Sequence, residues 1–447
     1  MGGARTVLFN WLFARQTGGE FLLRIEDTDT ERNQPELTSD ILDSIRWLGL
    51  EWDGDPVHQS DRRPRHVDIS SELVARGSAF WSAWQPADAK KGEPPARRAD
   101  DRDAGLGPGE GRALRFRVPD DGAITFTDLV RGEVTVAHAD IEDFVLVRAN
   151  GTPMFLLANA VDDADMGITH VLRGEEHVNG TPKYLLIQEA VGATATNRPV
   201  FAHLPILVDE QRKKLSKRRH SVAVSDFRQR GILPEAMVNY LALLGWGPSD
   251  GVEVRPLDEI VSLFRLEDVN ASPAFFDTKK LEAINGDYLR ALAPEEFLRR
   301  VEPFLEHGER SRPVLRELAG EVQTRVRTLA EAEGYVDFLW LDEPAIDEAA
   351  WAKVFGDERA AAMLDATIEA WASVDLDVEP LKAAMEEAAV GAGYVNAEGG
   401  PQLSKAQAPV RVALTGRTVG PPLFESVVAL GRERALERLR RARAAIG

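Results

Sequence analysis

In a chain of formal charge −19, the run Arg212-Lys213-Lys214-Leu215-Ser216-Lys217-Arg218-Arg219 sets six basic residues in eight. Between a predicted strand and a predicted helix, such a loop neutralises a polyphosphate as charge moves during phosphate chemistry, and Ser216 adds a hydroxyl donor. A solvated basic turn or a nonspecific RNA patch has the same composition. Gly2-Gly3 ahead of a predicted helix offers free backbone donors to a phosphate, or else makes a simple N-terminal turn. Glu26, Asp27 and Asp29 follow a predicted strand, where they hold an ammonium group or a metal, or cap the next helix. Arg173 ends another strand before Gly174-Glu175-Glu176. Its guanidinium either grips a carboxylate through two bonds or pairs internally with one of those glutamates. Asn159, with Asp162 and Asp163 just beyond, falls in a connection returning to the sheet, either as a donor to a substrate carboxylate or as a turn former.

The composition narrows what these groups serve. At 447 residues, 44% hydrophobic with nine Trp and 18 Phe, the chain has material for about three domains with their own cores. Its acidic balance argues against a polybasic binder but not against RNA, because local basic faces make such contacts. With no cysteine, disulfides, thiolate catalysis and Cys-ligated zinc are excluded, and the eight histidines form no HExxH-like spacing. No apolar run approaches the roughly 20 residues of a membrane span and no signal-peptide pattern opens the chain, so a cytoplasmic protein is expected.

The elements that must position these residues alternate in the first half. Ala4 to Gln16 reads as a helix, with Val7, Leu8, Trp11 and Leu12 on one stripe and Gly18-Gly19 to end it. Phe21 to Ile25 reads as a buried strand whose carboxyl end carries Glu26, the place where open α/β sheets bind ligands. Pro35 to Leu48 reads as a second helix with Leu37, Ile41, Leu42, Ile45 and Leu48 on its apolar face. From Pro86 to Gly111, Pro, Gly and mixed charge predict a flexible loop. Segments at Leu114–Val118, Ile124–Leu129, Val134–Val136 and Phe144–Val147 predict a small β-rich insertion with a turn at Asn150-Gly151. Strand, helix and strand follow at Ile168–Arg173, Thr181–Val191 and Phe201–Leu207. Beyond the basic loop, from Pro234 onward, only amphipathic helices are expected, and no repeat of 20 to 50 residues is evident.

Taken together these stretches form one ordered set. Gly2-Gly3-Ala4-Arg5-Thr6 with Leu8-Phe9-Asn10, Arg24-Ile25-Glu26-Asp27-Thr28-Asp29, Leu157-Ala158-Asn159 with Val161-Asp162-Asp163, Val171-Leu172-Arg173-Gly174-Glu175-Glu176 and Lys214-Leu215-Ser216-Lys217-Arg218 resemble the bacterial glutamyl-tRNA synthetase family in order and spacing. The resemblance continues through Asn239-Tyr240-Leu241, Gln407-Ala408-Pro409, Ala413-Leu414-Thr415-Gly416 and Leu423-Phe424-Glu425, and so covers essentially the whole chain. It implies an α/β fold: a Rossmann-like class I catalytic domain (1–85 and 161–225) with a β-rich insertion at 86–160 for the tRNA acceptor end. An all-α C-terminal half would follow, with a stem-contact domain at 226–300 and an anticodon-binding domain at 301–447.

The resemblance also implies a reaction and roles. Glutamate is activated by ATP with Mg²⁺ and transferred to tRNA(Glu), by a monomer that uses no zinc. Lys214, Ser216 and Lys217 match the family's KMSKS loop on the phosphates. Glu26 matches the residue at the substrate ammonium and Arg173 the reader of its side-chain carboxylate, with Phe155 and Asn159 in the same pocket. Gly2, Gly3, Glu176 and Leu207 fall near the nucleotide. Arg325, Arg327, Arg411 and the Arg432 to Arg443 cluster are candidates for tRNA contact, a solvated helix face being the alternative for each. Family members carry a first strand and then a His-x-Gly-Gly signature, in which Met1 takes the position after the histidine, so the expectation for the chain from Met1 is loss of the strand and the histidine with their α-phosphate and glutamate contacts. Phe155 stands where the family usually has a tyrosine. Two alternatives accompany this reading: a noncatalytic tRNA-binding protein, and a relative that glutamylates queuosine in tRNA, against which the long helical half argues.

Overall fold

The computed structural model describes residues 1–28, 35–84, 97–194, 197–215 and 223–446. The chain divides into two compact units, Met1–Phe227 with Pro234–Leu281, and Arg228–Leu233 with Glu282–Gly447.

The first unit is mixed α/β. Its opening helix α1 (Gly2–Thr17) buries Leu8, Phe9 and Leu12, and Gly18 ends it in the left-handed conformation at φ 70°. There the amides of Gly18 and Gly19 return to the last carbonyls of the helix, a closure that favours a residue without Cβ. Strand β1 is only Arg24–Ile25, shorter than the five residues expected. Its line of bonding is nonetheless longer, because the Phe21, Leu23 and Ile25 carbonyls accept from the Asp53, Val57 and Gln59 amides alongside β2 (Val57–His58). Between them α2 (Pro35–Trp47) buries Ile45 while leaving Ile41 56% exposed, so its apolar face is narrower than its sequence suggests. Helix α3 (Arg63–Ala75) follows.

Strands β3 (Ala79–Ser82), β4 (Ala113–Phe116) and, later, β7 (Val145–Val147) make one antiparallel sheet. The hairpin β5 (Ala123–Asp128) and β6 (Gly132–Ala137) does not join them. It extends the parallel pair β8 (His170–Gly174) and β9 (Val200–Leu204), in the order β6-β5-β9-β8. The stretch read as a separate insertion thus contributes a neighbour to β9, through Asp128 opposite Phe201. The described part of the expected flexible loop is tied down instead. Arg98 donates to the carbonyls of Ile141, Pro119 and His138, and Asp101 accepts from Ser82 and Ala83. Its charges looked solvent-bound in sequence, but backbone carbonyls absorb them.

The segment read as a turn-forming connection is helix α4 (Phe155–Asp165), buried from Leu157 to Asp163. Asn and Asp disfavour helix interiors because they compete for the backbone. Here their side chains are occupied elsewhere, as described below. Helix α5 (Thr181–Ala190) packs Tyr184, Leu185 and Ile187 into the core shared with Phe126, Leu157 and Phe201. After β9, Pro205 interrupts the expected single strand, and β10 (Leu207–Val208) runs parallel to β11 (Ala274–Phe275). That second strand lies where only helices were expected, and two residues carry no periodicity to reveal it. Helices α6 (Val224–Gln229), α7 (Pro234–Ala242) and α8 (Leu257–Leu263) complete the series.

The second unit is helical. Its core includes Met363, Leu364, Trp371, Leu381, Met385, Val410, Leu414 and Leu439, drawn from four of its helices. The helix Leu403–Thr415 closes at Gly416 with φ 75°, where a Cβ would stand 2.1 Å from the Ala345 carbonyl oxygen. Gly399 has a similar φ of 83° with open space around it. Gly416→Ala is therefore expected to cost at least about 3 kcal/mol and Gly399→Ala only about 1, measured as separate shifts in denaturant midpoint. Equal losses would remove the steric argument. Among the described residues, no helix is long and apolar enough to cross a membrane.

Candidate active site

A cleft of about 720 Å³ opens in the first unit, lined by the start of α1, residues 21–26, the start of α4, the carboxyl end of β8 and the approach to the basic loop. Glu26, Asn159, Arg173, Phe155, Gly2, Gly3, Glu176, Leu207 and Lys214 all line it. Ser216 and Lys217 lie outside the described residues.

Glu26 leaves the end of β1, and its Oε1 accepts from Asn159 Nδ2 at 3.0 Å. Asn159 Oδ1 accepts in turn from Gln59 Nε2 at 2.8 Å, which fixes which way the amide points. Burial pushes the Glu26 carboxyl above its ordinary range, against the pull of Arg24 and the Asn159 bond. A cationic ligand group at this point favours the ionised form and is held by it. Asp27, one residue on, faces away: it accepts from the Ser60 amide and hydroxyl at 2.8 Å each and pairs with His58 at 3.0 Å. Of the acidic trio, then, Asp27 caps a turn while Glu26 faces the cleft, and Asp29 is outside the described residues.

Arg173 is reached by neither following glutamate. Glu175 pairs with Arg131 and accepts from the Ile206 amide, while Glu176 sits 3.9 Å from Lys214 Nζ. Arg173 Nε donates to His203 Nε2 at 3.1 Å and Nη2 to Thr181 Oγ1 at 2.7 Å. The rings of Tyr184 and Phe201 flank its guanidinium at 5.7 and 5.6 Å. Burial lowers its pKa, with nearby negative groups opposing. Phe155, the first residue of α4, stacks on His177 at 5.7 Å and 29°. Gly2 and Gly3 are the first residues of α1, and a Cβ at either would meet nothing within 4 Å. Amides at that end of a helix lack intrahelical partners and carry the positive end of its dipole. On the far side Leu207 accepts from the Leu215 amide at 2.9 Å. Asp209 holds the turn between them through the Lys213 amide at 2.9 Å, with Arg212 at φ 58°. The arrangement brings the Glu26 carboxylate, the Arg173 guanidinium, a helix N-terminus and Lys214 around a single space, which suits a zwitterionic acid beside a phosphate ester.

Residues 1–283 match the family model for class I tRNA synthetases (E and Q), catalytic domain, and residues 296–443 match an anticodon binding domain. A glutamate–tRNA ligase of Thermobifida fusca (strain YX) is 49% identical, across 99% of this chain and 94% of its own length. The chain belongs to the class I glutamate–tRNA ligase family. A relative of the same name from Rhodococcus jostii (strain RHA1) is 43% identical across 100% of this chain and 96% of its own. A solved glutamate tRNA ligase of Elizabethkingia meningosepticum CCUG26117, crystallised with its amino acid, superposes with a TM-score of 0.79 at 27% identity, covering 100% and 97% of the two chains. Members of this family are aminoacyl-tRNA ligases, with an α/β catalytic part and a helical remainder, as in this chain.

Two residues that line the cleft, Arg24 and Arg5, and three that hold its side chains from behind, Gln59, Thr181 and His203, were not singled out from the sequence. Arg24 stands two residues before Glu26, hence on the same strand face, and that spacing could have revealed it. Its Nη1 meets Asp163 Oδ1 at 2.5 Å and its Nη2 lies 3.7 Å from Glu26. Arg5 is buried and donates to the Leu244 and Pro205 carbonyls, and burial holds its pKa down to about 10 despite Glu175 and Glu176. Gln59, Thr181 and His203 carry no motif; His203 alone was visible as a histidine in an apolar strand.

The basic residues proposed for tRNA contact in the helical unit are largely committed to it. Arg432 donates to the Val374 carbonyl, Arg434 to Leu339 and Leu341, Arg438 to Leu414 and Phe338, and Arg411 to Pro421. Arg443 pairs with Asp365 at 2.9 Å. Most of these guanidiniums donate to backbone carbonyls within the unit, a use that their sequence pattern does not reveal.

Asp162 shows how firmly the wall behind the cleft is held. Burial opposes its charge, but bonds from His66, Arg62 and Gln59 outweigh it and bring the pKa down from 3.8 to about 2. A folded-state pKa below the unfolded one contributes stability above the unfolded value and loses it as pH falls through the folded one. Asp162→Asn should therefore cost about 2 kcal/mol at neutral pH, and the deficit should shrink as pH falls from 3.8 to about 2. Denaturant melts across that range check it; a deficit independent of pH would assign the loss to packing.

Proposed function

We propose that the chain activates L-glutamate with MgATP and transfers it to tRNA(Glu). A glutamate α-carboxylate oxygen attacks the α-phosphorus, the bond to the bridging oxygen breaks, and pyrophosphate leaves with its negative charge and the Mg²⁺. A terminal ribose hydroxyl of the tRNA then attacks the glutamyl carbonyl, the ester forms, and AMP departs. The observation that carries this reading is the single cleft shared by Glu26, Arg173 and the N-terminus of α1.

Glu26, oriented by Asn159, receives the α-ammonium. Arg173 receives the side-chain carboxylate, and because a neutral amide forfeits one charge-assisted contact, glutamine binds less well. Phe155 walls the pocket. The Gly2 and Gly3 amides face phosphate oxygens, Leu207 and Glu176 border the nucleoside, and Lys214, Ser216 and Lys217 stabilise the charge that develops on the phosphates. Residues 86–160 would receive the acceptor end, 226–300 the stem and 301–447 the anticodon, the last in keeping with the anticodon-domain match at 296–443. The protein acts as a monomer in the cytoplasm. The close relatives named as ligases favour the enzyme over a noncatalytic tRNA binder.

Glutamate-dependent ATP–pyrophosphate exchange in the presence of tRNA tests the reading, and tRNA binding without exchange overturns it. Lys217→Ala should slow exchange on the order of 100-fold or more while tRNA affinity stays within about twofold; unaltered exchange removes Lys217 from the phosphates. Arg173→Gln should raise the glutamate KM by roughly 10- to 100-fold, the worth of a charge-assisted bond, and leave the ATP KM alone. An unchanged glutamate KM would take Arg173 out of the pocket.

A further inference from the structure

Three arginines, Arg5, Arg24 and Arg173, line the same cleft; Arg5 spends its donors on the Leu244 and Pro205 carbonyls, and the other two differ in what holds them. Arg24 is bound to the carboxylate of Asp163 and lies near Glu26, so its charge is already answered. Arg173 is held by neutral acceptors, the His203 ring nitrogen and the Thr181 hydroxyl, with the rings of Tyr184 and Phe201 beside it. The reason lies one step further back. Asp128 Oδ2 meets His203 Nδ1 at 2.5 Å, and its other oxygen accepts from the amides of Val130 and Arg131 at 2.9 and 2.8 Å. A carboxylate only accepts, so the proton of a neutral His203 is fixed on Nδ1 and Nε2 is left as an acceptor for Arg173 Nε–H.

We infer that Asp128, His203 and Thr181 are positioning residues for substrate selection: they aim the Arg173 guanidinium into the cleft without neutralising it, leaving its Nη1/Nη2 edge for the ligand carboxylate. This rests on the reading of Arg173 as the carboxylate reader. The Nε side of the guanidinium, which often provides half of a two-bond fork, is occupied by the imidazole. Thr181 Oγ1, 3.1 Å from His203 Nε2, takes an Nη2 N–H on that same side, so the ligand meets the Nη1/Nη2 edge. A carboxylate in place of His203 would grip Arg173 as firmly but cancel the charge that distinguishes glutamate from glutamine. The neutral imidazole orients the guanidinium and passes only a distant share of the Asp128 charge.

The test is the Kd of L-glutamate and of ATP, by calorimetry, in the full chain and in His203→Gln, His203→Leu, Thr181→Val and Arg173→Gln. Glutamine at position 203 keeps an oxygen able to accept from Arg173 Nε, whereas leucine keeps bulk and loses the acceptor. His203→Leu should weaken glutamate at least 10-fold with ATP within twofold, His203→Gln should remain within about threefold of the parent for both, and Thr181→Val should weaken glutamate about threefold to tenfold. Equal losses in the two His203 variants, or a matching loss for ATP, would show a structural role alone and overturn the inference. Glutamate binding unchanged in His203→Leu and Thr181→Val but weakened in Arg173→Gln would overturn it while sparing the reading of Arg173. Glutamate binding unchanged in Arg173→Gln would sink that reading itself. Should His203→Leu fail to fold, Thr181→Val and the ¹⁵N shifts of His203 decide: a protonated Nε2 in the folded parent contradicts the proposed acceptor.

Discussion

The polar side chains of one buried helix hold the cleft together. Asn159, Asp162 and Asp163 of α4 each reach a different part of the first unit. Asn159 joins Glu26 to Gln59, Asp162 gathers Arg62, His66 and Gln59, and Asp163 binds Arg24 and the Tyr184 hydroxyl. A buried carboxylate is costly unless charge and hydrogen bonds surround it, so each of these groups is stable only if its partner element is in place. The same condition that makes the helix tolerable locks β1, α3 and α5 around it, and the ligand-facing groups inherit that rigidity.

Charge compensation then sorts the groups that face the cleft. Arg24 and Arg173 are chemically alike and both half-buried, but one meets a carboxylate and the other meets neutral acceptors. Glu26 accepts from the Asn159 amide and lies 3.7 Å from Arg24, and burial still leaves its pKa raised. In a space shielded from water, an ion whose charge is not answered from within favours an outside partner of opposite sign. Among the charged side chains of the cleft, Glu26 and Arg173 are an anion and a cation whose described hydrogen bonds are to neutral groups, a pattern that suits a zwitterionic ligand with a second acidic group.

In the helical unit the opposite allocation holds. Arg434 and Arg438 spend their donors on carbonyls at helix and loop ends, and Arg438 does so from a buried position. Basic density along a helix in sequence therefore does not by itself separate nucleic-acid contact from backbone closure, because five donors on one planar group serve either.

What the sequence determined by itself was the order of motifs, the family they belong to, and the long, strongly patterned elements such as α1, α5 and α7. Glycine capping and helical periodicity are local properties, and Gly18 and Leu8 declare them without reference to the rest of the chain. It also placed Glu26 and Arg173 at strand ends. Only the tertiary structure decided that α4 is a helix, since local propensity of Asn and Asp points to a turn and distant partners overturn it. Only it decided that β5 joins β9, that Ala274-Phe275 pairs with β10, and that Glu26 rather than Asp27 faces the cleft. The partners of Arg173 belong to the same class: His203 lies 30 residues after it along the chain, and Asp128, which holds His203, lies before it, 75 residues from His203. Hydrogen-bond choice among similar groups depends on which donors folding brings within 3 Å, and no local pattern encodes that.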